Sequence, residues 1–128
     1  GSDLIEKARQ LADTGDLEAA ADMARQALED REVDALFLLA QISFEQGSDA
    51  HALETLRKCL YLAPDYIPAY LEMGTVLEST GAVERARSLY RTALRLLTDC
   101  PGNSKILPDD DRTAEAWIIH LKSKFREA

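Results

Sequence analysis

The residues whose types could carry chemistry in this chain are two histidines, two cysteines and a run of three aspartates. A transition-metal site needs three or four histidine, cysteine or carboxylate ligands at close spacing. His51 and His120 have no such partner near them in sequence and read as surface histidines on separate helices. Cys59 falls where a helix calls for a small apolar side chain, so burial is expected in place of reactivity. Cys100 sits among turn formers and is expected to be exposed. A nucleophilic thiol needs a neighbouring base or cation to lower its pKa, and none stands beside it. The run Asp109, Asp110, Asp111 lacks the alternating ligands and central glycine of a calcium loop. It fits better beside the positive start of the next helix. The six glycines are isolated, which leaves no loop able to cradle a phosphate or a dinucleotide. No catalytic residue, metal site or cofactor is expected in this chain.

Composition narrows the remaining classes. With 23 acidic and 15 basic residues the 128-residue chain carries a formal charge of −8. It shows no clustered basic surface, so nucleic-acid binding is not expected. No apolar run has the length of a membrane span and no hydrophobic leader opens the sequence, which points to the cytoplasm. Two distant cysteines do not make a disulfide framework. Gly1 and Ser2 read as an expression-tag remnant (residues 1–2), so the native chain is expected to continue upstream.

The elements that position these residues are set by an internal period. Gly47 and Gly81 are 34 residues apart, and the same offset pairs Leu36 with Tyr70, Leu39 with Met73, Ala40 with Gly74, Ala52 with Ala86, Leu56 with Tyr90 and Cys59 with Ala93. Small residues recur where two helices must approach closely, and large apolar ones where the gap needs filling. An earlier copy, two residues shorter at its exit, contains Leu4, Ala8, Leu11, Gly15, Ala20, Ala24 and Ala27. Each copy splits into two helices. The first helices are predicted over 3–13, 33–46 and 67–80, each stopped by a glycine suited to a left-handed turn. The second are predicted over 17–29, 50–62 and 83–98. Pro64 ends the second copy and Pro68 suits the first turn of the next helix.

Over residues 3–98 this pattern resembles the tetratricopeptide repeat. The small-residue signature stands as Ala8, Ala20, Ala27, then Ala40, Ala52, Cys59, then Gly74, Ala86, Ala93. Lys7 replaces a usual leucine, and the first copy lacks a closing proline, as suits an end repeat. The resemblance implies an all-α fold, a right-handed superhelix of three helical hairpins (3–32, 33–66 and 67–98). A loop over 99–111 and a C-terminal amphipathic capping helix over 112–128 complete the expected organisation.

In that last segment Ala114, Trp117, Ile118, Leu121 and Phe125 recur at helical spacing, with Asp111 or Thr113 placed to cap the start. A solenoid must cover its final apolar face, which makes this helix a cap on the third hairpin. Charge allows another reading. Arg112, Lys122, Lys124 and Arg126 against Glu115 and Glu127 give the segment +2 and leave −10 for the rest. On a flexible tether, a basic helix of this kind is suited to entering an acidic groove.

In superhelices of this type the first helix of each hairpin lines the concave side. There the resemblance puts Ile5, Glu6, Arg9 and Asp13, then Asp34, Phe37, Leu38, Gln41, Phe44 and Glu45, then Leu71, Glu72, Thr75 and Glu78. Phe37, Leu38 and Phe44 exceed what the repeat core needs, and an apolar strip rimmed by carboxylates suits a basic or amphipathic segment. The competing account packs these side chains against the terminal helix or an adjoining domain. Repeat domains that grip a chaperone's C-terminal carboxylate use lysines, asparagine and arginine on this face. Here the places hold Ile5, Arg9, Leu38, Pro68 and Glu72, and Glu72 would repel the carboxylate.

Residues 59–97 carry a narrower resemblance. The junction Tyr61, Leu62, Pro64, Asp65, Tyr66, the long helix reaching Arg95, Leu96 and Leu97, and the loop and helix after it are similar to the C-terminal repeat region of CheR-type chemotaxis methyltransferases. In that family a separate upstream domain binds S-adenosylmethionine and methylates chemoreceptor glutamates. The resemblance implies a regulatory module that contacts its own catalytic domain, a chemoreceptor tail or another chemosensory protein. A stand-alone scaffold for an unrelated complex, or an oligomerisation module that dimerises by exchanging the terminal helix, are the alternatives.

Overall fold

A computed structural model describes residues 3–28 and 31–126. The remnant Gly1–Ser2, the predicted end of the second helix at Glu29 and the last two residues of the terminal segment lie outside them. The described residues form seven α-helices: α1 (Asp3–Asp13), α2 (Leu17–Gln26), α3 (Glu32–Glu45), α4 (Asp49–Leu62), α5 (Ile67–Ser79), α6 (Val83–Leu97) and α7 (Ala114–Arg126). The all-α expectation of three hairpins and then a terminal helix holds, with boundaries within two residues except at the end of α2, which stops at Gln26 where the prediction ran to 29.

The chain divides into two compact units, residues 1–64 and 65–128. The first contains the hairpins α1–α2 and α3–α4, and the second contains α5–α6 with α7 packed on α6. Each hairpin turns by the same device. Asp16, Ser48 and Ala82 donate their backbone N–H to the carbonyls of Leu11, Ser43 and Leu77, at 3.0, 2.8 and 2.9 Å. This six-residue closure forces the residue before it into a left-handed conformation. That residue is Gly15, Gly47 or Gly81, with φ of 91°, 83° and 85°. A side chain there would strain all three turns.

Close approach of the paired helices explains the small residues. All nine members of the repeat signature, from Ala8 to Ala93, are buried. In the first unit Ile5, Ala8, Ala20, Ala24, Ala35, Leu38 and Ile42 belong to one apolar cluster. Lys7, on the open side of α1, is exposed. In the second unit a larger side chain faces a smaller one: the Tyr90 ring occupies the space that a Cβ on Gly74 would take. The 34-residue equivalents are Leu56 and Ala40, so the bulk added on one helix is removed from the other.

The stretch before α7 is folded, not a free tether. Ala114 and Glu115 donate their N–H groups to the carbonyls of Ser104 (2.8 Å) and Gly102 (3.0 Å), and Lys105 makes an isolated β-bridge with Thr113. Leu107 is buried. The loop thus satisfies the first donors of α7, which every helix start leaves open.

Candidate protein-binding face

The first helices were expected to show an apolar strip between carboxylates. In the first unit that strip is closed. Phe37 and Leu38 are each only 1 % exposed, and Ile5 is buried with them. Leu38 belongs to the unit's core cluster, so α3 uses for packing what helical spacing had assigned to a partner. Of this set Phe44 remains half-buried and Glu45 exposed. Arg9 and Gln41 are half-buried and joined across α1 and α3 by a 2.9 Å hydrogen bond from the guanidinium to the amide oxygen. Asp34 accepts two hydrogen bonds from Arg31, at 2.7 and 3.2 Å. Polar groups with one aromatic edge therefore make up the accessible face of α1 and α3.

In the second unit Leu71 is likewise buried, while Thr75 and Glu78 are exposed and Glu72 is half-buried. Glu78 is already engaged. It accepts a 2.5 Å hydrogen bond from the Tyr90 hydroxyl and two 3.2 Å bonds from Lys124 of α7. Burial pushes its carboxyl pKa up, but the bonds from Tyr90 and Lys124 outweigh that and hold it below the usual carboxylate range. Burial and the bond to Glu78 raise the Tyr90 phenol. The Lys124 ammonium also lies 5.3 Å from the centre of the Tyr90 ring. The acidic face of a first helix thus takes a cation from a basic helix, and that helix is the chain's own.

The start of α7 is held by Arg112. Its guanidinium binds both oxygens of Asp110, at 2.6 and 3.1 Å, and lies 3.8 Å from the centre of the Trp117 ring. The hydrogen bond from Arg112 holds the Asp110 carboxyl well below its usual range. The aspartate run was expected to favour the positive start of the helix directly. Instead Asp110 serves Arg112, Asp111 reaches Lys105 at 3.8 Å, and Thr113 provides the cap, its hydroxyl accepting from Ala116 N–H at 3.2 Å. Trp117, Leu121 and Ala114 are buried, and α7 lies on α6 as a cap. Arg91 of α6 adds a contact 5.2 Å from the Phe125 ring.

The remaining chemistry-bearing residues stay apart. Among the described residues no group of three histidine, cysteine or carboxylate side chains could hold a metal ion. His51 is exposed and its Nδ1 lies 3.0 Å from the Ser43 hydroxyl. His120 is not the surface histidine expected: it is half-buried, edge-on to Trp117 at 5.8 Å. Burial depresses its pKa, and the Arg112 and Lys124 cations lower it further. Burial pushes the Cys59 thiol up to about 12, which keeps it protonated and inert. Cys100 is half-buried, not exposed as expected, with its sulfur 3.7 Å from the Leu96 carbonyl.

Sequence reasoning missed the Tyr90–Glu78–Lys124 cluster. Its signal was the change from Ala40 and Leu56 to Gly74 and Tyr90 at one offset, which brings a phenol to the polar edge of a core position.

Hairpins closed through small residues and three like glycine turns make up an all-α helical-repeat fold. Residues 5–67 match the tetratricopeptide-repeat family model. The translocator chaperone SycD of the Yersinia enterocolitica type III secretion system has a similar fold. One of its structures, an alternative dimer, superposes with a TM-score of 0.73 at 14% identity, covering 97% of this chain and 92% of that one. A second gives 0.71 at 14% identity, covering 98% and 85%. MamA gives 0.62 at 18% identity, covering 98% and 80%. At such identities the likeness is one of fold. A search of curated protein sequences found no match. No helix among the described residues is long and apolar enough to cross a membrane.

Proposed function

We propose that this chain is a protein-interaction module whose first-helix faces receive a basic amphipathic segment of a protein partner in the cytoplasm. One observation carries the reading: Lys124, on a basic amphipathic helix, bonds to Glu78 on a first helix. In the first unit the corresponding face presents Gln41, Phe44 and Glu45. A partner helix with lysine or arginine beside an apolar stripe matches that surface in charge and shape of contact. Repeat arrays use such faces because side chains on successive first helices recur at regular spacing.

The finer reading rests on the resemblance of residues 59–97 to the CheR-type methyltransferases. On that reading the module regulates a chemoreceptor glutamate methyltransferase, and its partner is the enzyme's own catalytic domain, a receptor tail or another chemosensory protein. Tyr61, in the junction that carries the resemblance, is 87% exposed, which suits a contact surface. Phe44→Asp in the native protein is expected to change receptor methylation while the helical circular-dichroism signal stays as in wild type. Unchanged methylation would remove the first-helix mechanism. A native reading frame that contains no S-adenosylmethionine-binding domain would remove the methyltransferase reading and leave the interaction module.

A further inference from the structure

The first unit has an open apolar surface away from its first-helix face. A cleft of about 280 Å³ runs between α2 and α4 over the outer side of α3. Leu28, Leu36 and Leu39, all half-buried, floor it together with the buried Ile42. It shares Ala21, Arg25 and Gln46 with an adjoining depression of about 360 Å³ that reaches Glu18 and Asp22. The two form one elongated groove along α2.

Charge is distributed unevenly along it. Glu18 and Asp22 stand toward the start of α2, while Arg25 and, across the cleft, Lys58 stand further along. Lys58 is exposed and makes no ion pair among the described residues. Among the described residues Arg25 pairs with Asp22 alone, at 2.8 Å, with side chains 59% and 74% exposed. An exposed pair of this kind contributes little and exchanges readily. The Ser43 hydroxyl and His51 ring supply polar contacts at the wall.

We infer that this cleft is a second docking surface, and that its occupant is an amphipathic helix of a partner protein carrying carboxylates in its C-terminal half. Its apolar stripe covers Leu28, Leu36 and Leu39, the contact that gives a helix-in-groove complex most of its affinity. Its carboxylates and the negative end of its dipole meet Arg25 and Lys58, and its amino end meets Glu18 and Asp22. These charges fix the direction in which the helix lies, parallel to α2. The partner's charge is opposite to that proposed for the first-helix face, so this inference stands or falls separately from that reading.

Amide spectra of the complete chain, titrated with synthetic peptides of α4's length, 14 residues, test it. All peptides share one leucine stripe; the residues flanking its C-terminal half are glutamates in one set and lysines in the other. The glutamate peptide is expected to shift the amides of Ala21, Arg25, Leu39 and Lys58. Lys58→Glu, at an exposed site that leaves the fold intact, weakens its binding about threefold or more. Glu45→Lys leaves it unchanged. The inference is overturned by lysine peptides that bind the cleft equally well, by shifts confined to other residues, by no binding of either set, or by indifference to Lys58→Glu. Shifts of the same amides on raising the protein concentration without peptide would show a second copy of the chain as the occupant, and would also overturn it.

Discussion

At the scale of single residues, steric fit and burial govern most of what the chain's special side chains do. Gly74 is the sharpest case. Its Cβ would enter the Tyr90 ring, so Gly74→Ala is expected to lower stability by about 1–3 kcal/mol, the usual range for overpacking. Ala86→Leu in the facing helix should cost a similar amount, and thermal or urea melts check both. Reactivity separates the two cysteines. A thiol held at about 12 by burial stays unmodified, so a disulfide reagent at mild alkaline pH should label Cys100 and reach Cys59 only in denaturant. Rapid labelling of both in the folded protein would contradict the burial of Cys59. His120 gives a pH signature. Its folded pKa lies below its unfolded value of 6.5, so as pH falls through 6.5 the unfolded chain takes up a proton that the folded one resists. Stability should therefore decline from about pH 7.5 to about pH 5.5, and His120→Gln should flatten that part of the profile. The groups facing His120 are Trp117, Arg112, Lys124, Glu78 and Asp110.

At the scale of elements, the hairpins were legible in the sequence because spacing encodes them. Three glycines, nine small residues and the apolar positions between them leave one arrangement of paired helices. The site was less legible. Helical periodicity says that Phe37 and Leu38 share a face with Gln41, but it does not say how far neighbouring helices close over that face. Depth of burial depends on packing of the assembled unit, and there these two side chains became core. The loop before α7 misled for a related reason. Turn formers such as Pro101, Gly102 and Asn103 signal a break in the helix, but not whether the loop then bonds to the start of the next one. Carbonyls of Ser104 and Gly102 do bond to it, which tells against exchange of α7 between two copies by a free tether. Light scattering is expected to give the same oligomeric state for wild type and for a chain lacking residues 112–128. The latter should show a destabilised third hairpin, since Trp117 and Leu121 no longer cover α6. Trp117→Ala alone should cost about 3–5 kcal/mol, as for other buried aromatic truncations.

At the scale of the whole molecule, a chain of charge −8 spreads its 15 cations along its length. Two of those in the terminal segment are already paired, Arg112 with Asp110 and Lys124 with Glu78. That pairing reduces the surplus of +2 read from the sequence to a local matter of holding the cap, and the face proposed for a partner is the first-helix face of the first unit. Binding of a basic segment there is expected to weaken steadily as salt rises from about 50 to about 300 mM, because exposed charges are screened over a shorter distance. If partners meet the module at this face, a crosslinker placed on it should capture them. The direct measurement puts a photo-crosslinking amino acid at Phe44 in the native protein, with a second version at Ser88, an exposed site on a second helix, as control. Illumination in cells and mass spectrometry of the adducts should join position 44 to a lysine- or arginine-rich amphipathic segment of a partner protein, with position 88 silent. Adducts from Ser88 alone, equal adducts from both positions, or an acidic segment at position 44 would contradict it.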